Sequence, residues 1–83
     1  MQRGKKPYTK LGQRLSSLRQ KLNETIPDVS GAVELDNDII ASYENGERRP
    51  SEDVLEMLIS HFDIKGEEAD ELWELAGYNN DLA

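Results

Sequence analysis

The sequence predicts an all-α chain folded as a compact five-helix bundle. Three observations carry that expectation. Leu11, Leu15, Leu18 and Leu22 recur at helical spacing, and later apolar clusters keep the same period. No stretch alternates apolar and polar residues as a half-buried strand does. Cap and stop residues punctuate the chain at short intervals, which suits short helices. With 83 residues, one domain is expected. A chain of this size buries roughly 60–65% of its unfolded surface, enough for one small core.

The elements follow in order. Residues 1–8 carry no apolar period and are expected to be a basic, flexible arm. Thr9 is expected to cap the first helix, whose buried face is the leucine stripe. Asn23-Glu24 breaks it. Thr25 and Asp28 stand at capping-box spacing, with Pro27 in the first turn, where a missing N–H costs little. Val29 and Val33 give this short second helix its apolar face, and Leu35 ends it. Asp36 is expected to cap the third helix by accepting from its exposed N–H groups. Ile39, Ile40 and Tyr43 anchor that helix and Asn45-Gly46 stops it. Pro50 and Ser51 open the fourth helix, and Val54, Leu55, Leu58, Ile59 and Phe62 line its inner face. Glu67 and Glu68 begin the fifth, which buries Leu72, Trp73, Leu75 and Ala76 and ends at Gly77. The expected domain runs over residues 9–78, with a tail at 79–83.

Charge is unevenly spread. Residues 1–21 hold seven bases and no acid, or +7, and the rest hold three bases and 17 acids, or −14, which together give the net −7. An electrostatic contact at the N-terminal end is expected, while the acidic remainder opposes indiscriminate nucleic-acid binding. There are no cysteines, which excludes disulfides, zinc ribbons and thiol nucleophiles. No apolar run is long enough to span a membrane, and no signal-peptide core follows the basic start, so a cytoplasmic protein is expected. The single histidine, His61, has no second ligand at metal spacing. No Ser/His/Asp set and no phosphate-cradling glycine loop is present, and catalysis is not expected. No cofactor or metal is implied.

The informative segment is residues 25–50. It reads Val29-Ser30-Gly31-Ala32-Val33-Glu34-Leu35-Asp36, then Ile40-Ala41-Ser42-Tyr43-Glu44-Asn45-Gly46, then Glu47-Arg48-Arg49-Pro50. Leu11-Gly12-Gln13-Arg14-Leu15 and Leu18-Arg19 precede it, and Glu74-Leu75-Ala76-Gly77-Tyr78 follows it. This resembles the Cro/C1-type helix-turn-helix domain, the lambda-repressor-like fold of the XRE family, over about residues 9–78.

The resemblance implies a DNA-binding transcriptional regulator, repressor-like and bacterial or phage, that places its third helix in the major groove of double-stranded DNA. It assigns Asn37, Asp38 and Ser42 to base edges. It assigns Asn45, Arg48 and Arg49, with Arg3, Lys5 and Lys6 of the arm, to phosphates, which fix register without reading sequence. It assigns Arg19 and Glu44 to a structural ion pair between the first and third helices. It also implies a homodimer on half-sites about 10 bp apart.

The chain departs from the family pattern at the turn. Glu34 stands where the family has glycine, so the turn is expected to reach its shape without a residue tolerant of positive φ. Asp36 replaces the usual cap serine or threonine, and Ile26 replaces a frequent phosphate-touching glutamine. Asp36 and Asp38 put two acids at the tip of the recognition helix, where they repel phosphate. The alternative expectation is therefore a protein-interaction module that keeps the fold and presents its acidic face to a protein partner.

Overall fold

The computed structural model describes residues 7–78. The expected arm residues 1–6 and the tail at 79–83 lie outside them. Five helices follow in order: α1 (Thr9–Lys21), α2 (Ile26–Val33), α3 (Asn37–Glu44), α4 (Glu52–Phe62) and α5 (Glu67–Leu75), with no strand among the described residues. Helix α1 packs on α3 and α5, and α2 packs on α3 and α4. One core joins Leu11, Leu15 and Leu18 of α1 to Ile40 and Tyr43 of α3, Leu55 and Leu58 of α4, and Leu72 of α5.

Every helix ends on a residue with left-handed backbone: Asn23, Glu34, Gly46, Asp63 and Gly77. That conformation lets the next N–H groups fold back onto carbonyls the helix leaves unpaired. After α1, Asn23 N–H donates to Gln20 O at 2.9 Å and Glu24 N–H to Arg19 O at 3.1 Å. After α3, Gly46 and Glu47 N–H groups return to Tyr43 O and Ser42 O at 3.1 and 3.0 Å. The early closure of α1 corrects the leucine stripe. Leu22 is the C-cap and stands 47% exposed, because the chain has already turned before its side chain can reach the core.

Two cap expectations are corrected. Thr9 is the first residue of α1, and Tyr8 occupies the cap position without a side-chain cap bond. The start of α1 is held from outside instead, by Tyr8 N–H donating to Gly46 O at 3.1 Å. Asp36 does stand at the N-cap of α3 with extended backbone, but its side chain accepts no cap bond. The Ile39 N–H that such a carboxylate would take is already bonded to Asp36 O at 3.0 Å. By contrast the Thr25–Asp28 box forms in full. Thr25 Oγ1 accepts from Asp28 N–H at 3.2 Å, and Asp28 Oδ2 accepts from Thr25 N–H at 2.9 Å. Ser51 Oγ caps α4 by accepting from Val54 N–H at 3.2 Å.

The turn between α2 and α3 keeps its left-handed residue after all. Glu34 itself sits at φ 58°, ψ 46°, and both its N–H and that of Leu35 return to Ser30 O. The hydrogen bonds and the burial of Val33 on one side and Ile40 on the other hold a residue there that has no intrinsic preference for it.

Two glycines set how closely α1 meets the end of α3. A Cβ on Gly12 would lie 2.3 Å from Glu44 O and 2.7 Å from Tyr43 O, far inside contact distance. Gly46, at φ +82°, would put a Cβ 2.7 Å from the Thr9 Cα. The helices touch backbone to backbone at this point, which any larger residue forbids.

Candidate nucleic-acid interface

Helices α2 and α3 are short and joined by a three-residue turn, Glu34-Leu35-Asp36. Asp36, Asn37 and Asp38 at the start of α3 are exposed, whereas Ile40 and Tyr43 anchor the opposite face in the core. The helix therefore offers its first turn outward on a fixed base.

That base is an ion-pair network. The Arg19 guanidinium makes a two-point contact with Glu44, Nε donating to Oε2 at 2.7 Å and Nη2 to Oε1 at 3.0 Å. Its Nη1 donates to Glu24 O at 2.9 Å. Both side chains are mostly buried, at 15% and 11% exposure. The hydrogen bond to Glu44 raises the Arg19 pKa, and burial opposes it without prevailing. Glu24 is in turn paired with His61 of α4, Oε1 to Nε2, at 2.7 Å. Thus α1, α3, the loop before α2, and α4 are tied together behind the exposed turn. The residues expected at a structural pair are in contact, and His61, for which the sequence shows no second metal ligand, joins them through Glu24.

The expected base-contacting residues share one helix but not one environment. Asn37 and Asp38 are exposed on the first turn. Ser42 is half-buried one turn on, and its Oγ donates to Ile39 O at 2.7 Å, a local bond that competes with any outside partner. Asn37 is not isolated either, because Ser30 Oγ of α2 donates to its Oδ1 at 2.6 Å.

The expected phosphate-contacting residues divide as well. Asn45 is exposed as the C-cap of α3. Arg48 is exposed, and its charge is near enough to Tyr43 to draw down a hydroxyl pKa that burial pushes above its usual value. Arg49 is engaged within the domain. Its Nε donates to Ala76 O at 2.8 Å, and its guanidinium lies 3.9 Å over the Tyr78 ring. Tyr78 completes the clasp by donating from its hydroxyl to Pro50 O at 3.0 Å. Of the basic residues on α1, Arg14 is paired with Glu71 of α5, and Lys10 and Lys21 are exposed. Arg3, Lys5 and Lys6 lie outside the described residues.

Residues 10–72 match a family model, the helix-turn-helix domain, one of the Cro/C1-type group. The matched span takes in α2 to α4, all of α1 but its first residue, and most of α5. The chain belongs to the helix-turn-helix domain family. No curated protein and no solved structure matches it. A helix-turn-helix domain is a DNA-binding module, and in this one α2 and α3 form the motif.

The electrostatics of this helix-turn-helix are unusual for its class of ligand. Between residues 22 and 47 stand Glu24, Asp28, Glu34, Asp36, Asp38, Glu44 and Glu47, and no lysine or arginine. Glu44 is neutralised by Arg19, and Glu24 is hydrogen-bonded to His61. Asp28 is engaged in the capping box, whose bonds from Thr25 lower its pKa. Glu34, Asp36 and Asp38 are exposed around the turn.

A void of about 10 Å³ lies between core residues including Leu15, Leu58 and Phe62, about the size of one water. Among the described residues no group of three or more histidines and acids is placed to hold a metal ion. No described helix is long and apolar enough to cross a membrane.

Sequence reasoning missed three participants: Ser30, the Arg49–Tyr78–Pro50 clasp, and His61. Only the clasp had a local signal, an arginine before the proline that precedes α4 and an aromatic just past a helix-ending glycine.

Proposed function

We propose that this domain is a transcriptional regulator, repressor-like, that reads double-stranded DNA with α3. The observation that carries the reading is the exposed first turn of α3, held on a rigid base within a helix-turn-helix. Asn37 and Asp38 take the base edges nearest that turn, and Ser42 the next position along the groove. Arg48 and Asn45 hold phosphates at the other end of α3, with Arg49 adding charge from its clasped position. Arg3, Lys5 and Lys6 follow the backbone or enter the minor groove. Two copies bind a palindrome with half-sites about 10 bp apart. The work is done where the DNA of a bacterium or phage lies, in the cytoplasm.

The test is a selection from randomised duplex DNA with the whole chain, at low and at physiological salt. A symmetric motif enriched at both is expected. Enrichment of nothing, with binding that vanishes as salt rises, would sink the reading, because that is phosphate attraction alone.

A second reading is favoured by one observation, the exposed acids Glu34, Asp36 and Asp38 around the motif's turn. They suit a basic protein partner better than a polyanion. If that reading holds, Glu34→Gln, Asp36→Asn and Asp38→Asn together strengthen non-specific DNA binding and abolish capture of the partner.

A further inference from the structure

Ser30 lies in the last turn of α2 and is 7% exposed. Its hydroxyl is 2.6 Å from Asn37 Oδ1 and 3.1 Å from Pro27 O. A serine hydroxyl has one proton to give. A separation of 2.6 Å is the length of an O–H···O bond, and is short for an N–H···O bond, which runs at about 2.7–3.2 Å. The group that meets Ser30 is therefore the amide oxygen of Asn37, and the proton points to it. An amide is planar, with oxygen and nitrogen on opposite branches. Turning Oδ1 inward to α2 turns Nδ2 away from it.

We propose that Ser30 is a positioning residue that presents Asn37 to DNA chiefly as a hydrogen-bond donor. The inference rests on the reading of α3 as the element that meets the bases. An asparagine distinguishes adenine by a two-point contact, its oxygen accepting from N6 and its nitrogen donating to N7. With Oδ1 turned toward α2 and one of its two lone pairs taken by a buried hydroxyl, that two-point contact is disfavoured. The NH₂ group keeps both its donors, and guanine offers them two acceptors, N7 and O6, on the major-groove edge. Adenine offers one acceptor and sets its own N6 donor against the other N–H. The base pair under Asn37 is thus read as guanine, and the residue that decides it is on the neighbouring helix, out of reach of the DNA.

The experiment compares selections from randomised duplexes by the whole chain and three variants. Asn37→Ala is expected to flatten the preference at one base-pair position, which identifies it. The unmodified chain is expected to favour guanine there. Ser30→Ala frees both ends of the amide and is expected to move that position about tenfold toward adenine, leaving the other positions unchanged. Ser30→Thr keeps the hydroxyl and is expected to keep guanine. A further measurement needs no variant: 7-deazaguanine at that position removes one acceptor and is expected to weaken binding about fivefold. Adenine preference in the unmodified chain, the same preference in Ser30→Ala, or no response to 7-deazaguanine overturns the inference while leaving DNA reading by α3 intact. A chain that enriches no motif overturns the reading itself, and the inference with it.

Discussion

Glu34 shows a residue held against its own preference. A left-handed backbone costs an ordinary L-residue roughly 1–2 kcal/mol, and glycine adopts it freely at the expense of a more flexible unfolded chain. The first effect is the larger, so Glu34→Gly is expected to stabilise the domain by about 0.5–1 kcal/mol. A higher urea midpoint at unchanged slope would register it. Glu34→Gln separates backbone from charge, because it removes the carboxylate and keeps the strain; a gain equal to that of glycine would refute the backbone account. The neighbouring arginines make a second contrast. Arg49 donates to Ala76 O and covers Tyr78, while Arg48 has only a longer-range influence on Tyr43. Arg49→Ala is expected to cost about 1–2 kcal/mol of stability, the worth of a partly exposed charged hydrogen bond and a surface cation–π contact. Arg48→Ala is expected to leave thermal unfolding unchanged and to lower the salt slope of DNA binding by about 1. Equal unfolding curves for the two variants would show that the clasp contributes nothing.

At the scale of the helix, the contact between α1 and α3 depends on the absence of a side chain. Alanine favours a helix interior over glycine by about 1 kcal/mol, yet at position 12 its methyl would fall 2.3 Å from a carbonyl oxygen. Forcing helices apart costs about 1–3 kcal/mol and sometimes more, and here the shift would also disturb the Arg19–Glu44 pair. Gly12→Ala is therefore expected to lower the thermal midpoint despite its better propensity; a rise would show that the approach is soft. Helix α2 depends on its start. The Thr25 bonds hold Asp28 below the usual carboxylate range. A group with a lowered folded pKa contributes stability above its unfolded pKa, near 4, and loses it as pH falls through the folded value. Acid is thus expected to weaken the N-terminus of α2, and Asp28→Ala to flatten that part of the stability–pH curve. An unchanged curve would mean the box does not respond to protonation. The capping box was legible in the sequence because its partners are three residues apart, as was Asn45-Gly46 as a stop. The exposure of Leu22 and the missing side-chain cap at Asp36 were not. Each was decided by which backbone groups bonded first, and helical periodicity carries no record of that. The partners of Arg49 and Asn37 were equally hidden, since they come from elements 27 and seven residues away.

Across the whole molecule two opposite charges meet DNA. Residues 1–21 carry +7 and residues 22–83 carry −14, so approach by the acidic part is repelled wherever the basic part is not interposed. Salt acts on both. It weakens phosphate contacts by restoring counterion competition, with a slope of about −0.9 per contact. It also screens the repulsion, over a Debye length that falls from about 30 Å at 0.01 M to about 8 Å at physiological strength. The measured slope is then the difference of two terms, and the basic segment at residues 1–6 is the lever that separates them. Removing those residues deletes Arg3, Lys5 and Lys6 and keeps every residue from 7 to 83. If all three reach phosphates, the slope is expected to become shallower by about 2.7, with affinity lost chiefly at low salt. The preferred sequence is expected to stay the same, because phosphate contacts carry no base information. Binding isotherms on one selected duplex at four or more salt concentrations would measure it. A slope that does not change would assign the phosphate contacts to Arg48 and the exposed lysines of α1. A changed base preference would place the arm in the minor groove as a reader.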